Sequence, residues 1–277
     1  MSRKSSEITT RTRQMSKKTI CYYGKLPSHG DFISQYTPRA FTNVWDTWLQ
    51  ESMLQWRNKL SEGWVADYMT MQPYRFILSS GIAGEVIWCG VLFPSRDKSG
   101  RLFPFTACIP LSAEDTTPIE LFTTHHEWLE KLVQLTFQCF SRDFDTDKFR
   151  QYQQNLDNLA AQCPDIVPQS KSYSCQKSES KVQTGAFAWH SSILKNNAST
   201  TAVNHALLNS LLDEYCHAHS LWWTSDNVDF MLCQGLPSIE LTPALIDQQW
   251  DKWGWLVDSS PQQDSNNNDE TQVFKVP

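Results

Sequence analysis

Tyr22-Tyr23-Gly24-Lys25-Leu26-Pro27-Ser28-His29-Gly30-Asp31-Phe32 and Gly90-Val91-Leu92-Phe93-Pro94-Ser95, the latter running on to Gly100-Arg101-Leu102-Phe103-Pro104-Phe105, are the most informative stretches of this 277-residue chain. Both set glycine, proline, single charges and aromatics against apolar runs with strand character. Glycine reaches backbone shapes closed to other residues, proline fixes φ, and a short polar side chain at a strand end can face a partner without being buried. Residues 85–93 and 102–109 read as strands, and Asp97-Lys98-Ser99-Gly100 reads as a turn between them. Two β-rich runs joined by a short glycine-containing turn predict an antiparallel hairpin.

Outward from these blocks, helix and strand signals alternate. Residues 20–23 form an expected strand, and Pro38 then precedes a helical pattern with Phe41, Val44, Trp45, Trp48 and Leu49 on one face. A strand is expected over 75–78, a helix over 118–140 carrying Leu121, Phe122, Trp128, Leu129, Leu132 and Val133, and a shorter helix over 148–161. Past the Pro/Ser/Lys/Gln-rich stretch 163–181, the pattern resumes with a strand at 185–190, a helix at 201–217, strands at 221–223 and 230–233, and a helix at 242–253. This interleaving predicts an α/β fold in which the second half extends the sheet of the first. The expected organisation is a disordered basic leader at 1–18, a core at 19–163, a mobile linker at 164–181, an α/β extension at 182–257, and a disordered polar tail at 258–277.

Composition excludes several classes of function. The net charge is -6, while Arg3, Lys4, Arg11, Arg13, Lys17 and Lys18 against Glu7 make the first eighteen residues basic. A basic tail on an acidic body argues against nucleic-acid reading. The leader lacks the apolar stretch of a signal peptide, and no run of about 18 apolar residues predicts a membrane span. Met15 opens Met-Ser-Lys-Lys just before the first strand and is an alternative start of translation. The eight cysteines are scattered, with no pair spaced like zinc ligands or a redox dithiol. Free thiols in a reducing cytoplasm, with no metal and no cofactor, are the expectation.

Catalytic patterns are incomplete wherever they begin in this sequence. Gly24-Lys25 suggests a phosphate loop, but Leu26-Pro27 follow, the upstream glycine is missing and Pro27 removes a backbone donor. Ser95-x-x-Lys98 with Ser225-Asp226-Asn227 supplies two fragments of the penicillin-recognising serine enzymes, but the Lys-Thr-Gly fragment is absent. His29 with Asp31 would give a general base and its orienting carboxylate, although residues two apart in a turn rarely face each other. In the bland alternative, Asp31 accepts turn or helix-start N–H groups. His125-His126-Glu127 lacks the paired cysteines of a zinc deaminase, and His217 and His219 sit at an expected helix end, where a cation is favourable.

Four blocks in order, Tyr23 to Phe32, Trp45-Asp46-x-Trp48-Leu49, Trp88 to Pro104, and Ser220-Leu221-Trp222-Trp223 followed by Cys233-Gln234-Gly235-Leu236-Pro237, resemble the TagF family, also called ImpM, of type VI secretion-associated proteins. The resemblance runs from Tyr22 to Pro237, and the Ser/Lys-rich stretch near 170–181 and the polar tail have no counterpart. It implies a three-layer α/β/α sandwich around a mixed, largely antiparallel sheet. It also implies a cytoplasmic bacterial protein that is not an enzyme and that represses type VI secretion after translation. The implied partner is a forkhead-associated scaffold, with a phosphatase of the threonine-phosphorylation switch as a possible neighbour. The family motif falls on Gly24, Lys25, Leu26, Pro27, Gly30, Asp31 and Phe32, and on Pro94, Ser95, Asp97, Gly100, Arg101, Phe103 and Pro104.

If the two blocks meet at one end of the sheet, Lys25, Asp31, Asp97 and Arg101 present mixed charge beside Phe32 and Phe103, as a protein-binding hot spot requires. Alternatively, Asp31 and Arg101 pair with each other or with backbone and only hold the loops. A structural adaptor of the apparatus, or a small-molecule hydrolase using His29 and Asp31, are the other readings.

Overall fold

The computed structural model describes residues 18–141, 143–165, 200–224 and 229–257. Its spine is a seven-stranded sheet in the order β2-β1-β5-β4-β3-β6-β7. The strands are β1 Cys21–Gly24, β2 Ile33–Gln35, β3 Tyr74–Leu78, β4 Val86–Phe93, β5 Phe105–Ser112, β6 His219–Trp223 and β7 Phe230–Gln234. All six pairings are antiparallel, so the parallel part of the expected mixed sheet is absent among the described strands. β6 pairs with β3, and the second half therefore completes the sheet begun by the first.

The central strands are buried on both faces, which is why their sequences are almost continuously apolar instead of alternating. Along β4, Ile87, Cys89, Val91 and Phe93 enter one core while Trp88 and Leu92 enter the other. On β6, Leu221 and Trp223 face the first core and Trp222 the second.

Helix α1, Arg39–Lys59, covers the second face. Pro38 starts it with extended backbone (φ -73, ψ 154), and Phe41, Trp45, Trp48, Leu49, Ser52 and Trp56 form its buried stripe. The Trp45 ring lies parallel to Trp222 at 5.9 Å and 4.7 Å from Phe76. Its indole N–H donates to Thr106 Oγ1 at 2.8 Å, so a large apolar group is buried without orphaning its donor. At ~200 Å² per indole and ~25 cal/mol per Å², each buried Trp contributes about 5 kcal/mol of transfer free energy before ordering entropy. The short helix α2, Trp64–Thr70, and α7, Ala244–Asp247, complete this layer.

The first core lies under α3, Pro118–Thr124, α4, His126–Phe137, and α5, Thr146–Ala161. A capping box starts α3: the Glu120 N–H donates to the Thr117 hydroxyl and the Thr117 N–H to the Glu120 carboxylate. The helix expected over 118–140 breaks at His125 (φ -104, ψ 9) and ends in a 3-10 turn, Gln138–Phe140. From α4, Glu130 receives two hydrogen bonds of 2.7 Å from Arg75, a guanidinium wholly buried on β3. Helix α6, Thr200–Tyr215, packs on α3.

The remaining differences have local causes. β5 starts at Phe105, three residues after the expected strand start, because Leu102 makes only a bridge to Arg96 and Pro104 cannot donate to a ladder. The helix expected over 242–253 is reduced to α7 and the 3-10 turn Asp251–Trp253, interrupted by Gln248 in left-handed backbone (φ 55). The expected strand at 185–190, most of the linker, the tail, and the leader before Lys18, Met15 included, lie outside the described residues.

Candidate functional site

The two turn blocks meet where β1 leaves the sheet beside the β4–β5 connection. Gly24 ends β1 at φ +135, and a Cβ there would stand 2.2 Å from the Pro104 carbonyl oxygen. Only glycine lets the first block press against the second this closely. Gly100, at φ +87, closes the tight turn of the second block, where its N–H donates to the Asp97 carbonyl at 2.9 Å. Gly30 has neither constraint, since no atom lies within 4 Å of a Cβ built there.

Hydrogen bonds then stitch one block to the other. The Ser95 hydroxyl donates to the Lys25 carbonyl at 2.6 Å, the Lys98 N–H to the His29 carbonyl at 2.8 Å, and Arg101 Nη2 to the Gly30 carbonyl at 2.7 Å. From α2, Tyr68 accepts the Ser95 N–H at 2.8 Å and donates to the Ser95 carbonyl at 2.9 Å, wholly buried.

Asp97 is the hub. Its Oδ2 accepts from Arg101 Nε at 2.6 Å and lies 3.1 Å from Lys25 Nζ; its Oδ1 accepts from the Ser99 N–H and hydroxyl and from the Arg101 N–H. The Asp97 side chain is 0% exposed and that of Lys25 8%, so this ion pair is internal. Burial alone would raise the Asp97 carboxyl. Donors from Ser99, Arg101 and Lys25 outweigh burial and hold it well below the usual carboxylate range. Lys25 Nζ also sits 4.9 Å above the Phe32 ring, which meets Phe103 edge-on at 4.7 Å and stacks on Tyr23 at 5.8 Å.

The sequence-predicted residues thus divide by position. Lys25, Ser95, Asp97, Phe103 and Pro104 are interior, with Pro27 and Pro94 partly buried. Gly30, Asp31, Phe32, Gly100 and Arg101 are exposed, Phe32 at 42% and the Arg101 side chain at 61%. Arg101 is not paired with Asp31; it bonds Asp97 and the Gly30 backbone, while among the described residues the Asp31 carboxylate accepts the N–H of its neighbour Phe32. Nor does Asp31 orient His29, which hydrogen-bonds Ser28 Oγ at 2.9 Å and lies 4.6 Å from the Phe149 ring, its pKa lowered by burial. Sequence reasoning missed Tyr68, whose neighbourhood of Trp64, Val65 and Met69 carries the helical spacing that could have placed it.

Among the described residues no group of three His, Cys, Asp or Glu side chains could hold a metal ion, and no helix is long and apolar enough to cross a membrane. The described cysteines are free thiols, buried except for half-buried Cys216.

These features define a three-layer α/β/α protein whose distinctive part is a loop clamp at one sheet end, built from two glycine- and proline-rich blocks. Residues 21–157 match the TagF N-terminal domain family, described as type VI secretion system-associated. In fold, the chain is similar to PA0076 from Pseudomonas aeruginosa PAO1, with a TM-score of 0.61 and 24% identity, over 82% of this chain and 94% of that one. No curated protein matches the chain.

Proposed function

We propose that this type VI secretion-associated protein is a non-enzymatic, post-translational repressor of apparatus assembly, acting in the cytoplasm by binding a forkhead-associated scaffold. Its TagF N-terminal domain carries the reading. The geometry supports it in one respect: the clamp holds Asp31, Phe32 and Arg101 outward on a base fixed by the buried Asp97, Lys25 and Ser95 bonds. An exposed aromatic between an acid and a base, on loops already ordered, loses little entropy on binding. The associated phosphatase is a second partner in this reading, recruited to or released from the same scaffold.

The experiment measures type VI secretion in the native bacterium. Overproducing the chain silences secretion while the levels of apparatus components stay constant, and Asp31→Lys relieves that silencing without altering the melting temperature. Unchanged secretion on overproduction of folded protein would contradict repression. Release of a small-molecule product by the purified chain, abolished in His29→Ala, would contradict the non-enzymatic part.

A further inference from the structure

Two of the sequence blocks, Trp45 to Leu49 and Cys233 to Pro237, meet beside α1; the first also touches the clamp, where the Tyr23 hydroxyl donates to the Asp46 carboxylate at 2.6 Å. Helix α1 and residues 236–240 border a shallow, open groove of about 610 Å³ whose lining includes Val44, Trp48, Glu51, Leu236, Ile239 and Glu240. Two bonds fix its walls: the Trp48 indole N–H donates to the Pro237 carbonyl at 2.8 Å in the interior, and the half-buried Ser220 hydroxyl bond to the Gly235 carbonyl measures 2.6 Å. The walls are therefore built into the fold, not left by mobile loops.

The groove combines an apolar surface with charge of one sign. Val44, 38% exposed, lies with Thr47 and Glu51 on one stripe of α1, at positions three or four apart, and faces Leu236 and Ile239 across the groove. Glu51 and Glu240 are exposed, and among the described residues no basic side chain lines the groove. The Ser238 hydroxyl donates to the Glu240 carboxylate, which lowers its pKa. We infer that this groove binds a cationic amphipathic segment of a partner protein, which seats a bulky apolar side chain between Val44 and Ile239 and sets Lys or Arg against Glu51 and Glu240. Apolar contact supplies affinity and the acidic rim supplies attraction and salt sensitivity. The residues differ from those of the clamp, so this inference and the scaffold reading can fail separately.

The test titrates the full chain into the fluorescein-labelled peptide acetyl-LKKLLKLLKKLLKL-amide and follows fluorescence anisotropy. Saturable binding is expected, weakened about tenfold between ~50 and ~300 mM salt. A loss of about tenfold or more is expected for Val44→Asp and for the pair Glu51→Lys with Glu240→Lys. All these positions are exposed, so melting temperatures should stay near wild type. The charge-matched pair Glu62→Lys with Asp157→Lys, also exposed, keeps wild-type affinity. Absence of saturable binding, an equal loss in the charge-matched pair, or no loss in the groove variants overturns the inference. A concentration-dependent dimer dissolved by the groove variants would assign the groove to the basic leader of a second copy, and would overturn a partner segment as occupant.

Discussion

Asp97, more than Asp31 or Arg101, decides whether the two turn blocks hold together, because one carboxylate collects donors from both. Its folded pKa is depressed, so its stabilisation is fully present above the unfolded value of about 3.9 and is lost as pH falls below it. Asp97→Asn should melt lower at neutral pH, with the gap to wild type narrowing as pH drops below about 4 in urea-unfolding series. A constant gap would remove Asp97 from the acid limb. His125 acts in a higher window. Burial, then the Lys18 charge, lower it from 6.5 to about 4 against the opposing Pro164 carbonyl, so its contribution is lost as pH falls from 6.5 towards 4. His125→Asn should flatten that window in the same series, in part only, since burial lowers His29 and His219 too. The backbone gives a sharper contrast: Gly24→Ala, strained at positive φ and facing a carbonyl at 2.2 Å, should cost several kcal/mol, a fall of about 10 °C or more. Gly30→Ala should stay within about 0.5 kcal/mol in the same melts. The turn sequence showed that a built loop was there; it did not show Asp97 as the hub, because which cation meets which carboxylate is set by the approach of two segments some 70 residues apart.

At the scale of elements, legibility followed local signal. α1 was readable because Phe41, Trp45, Trp48 and Leu49 repeat at helical spacing after a proline, and the β4–β5 hairpin because two apolar runs flank Asp97 to Gly100. The breaks were not readable. His125 interrupts α3–α4 and Gln248 stops α7 through backbone conformations that tertiary packing imposes, and the three residues of β2 are too few for any period to register. The β3–α4 contact was also hidden, because Arg75 lies in an apolar strand and its partner Glu130 on a helix 55 positions on. Glu130→Gln leaves the Arg75 guanidinium buried without an anion, and should destabilise by about 3–5 kcal/mol in chemical unfolding. A loss below about 1 kcal/mol would mean that solvent already screens the pair.

For the whole molecule, the antiparallel sheet explains why the turn blocks lie together: β1 and β5 are neighbours, so the chain leaving β1 and the chain entering β5 share one sheet end. The groove beside α1 is lined by residues other than the exposed ones of the clamp, so the two surfaces can be varied independently. Whether the clamp surface engages the secretion scaffold, as proposed, is read directly by calorimetric titration of the full chain with the forkhead-associated scaffold of the same organism, unphosphorylated and threonine-phosphorylated. Saturable one-to-one binding at about micromolar strength or tighter, a different affinity in the two phosphorylation states, and a loss of at least about tenfold in Asp31→Lys at unchanged melting temperature are the predicted result. Absence of binding in both states, or wild-type affinity in the Asp31 variant, would contradict it.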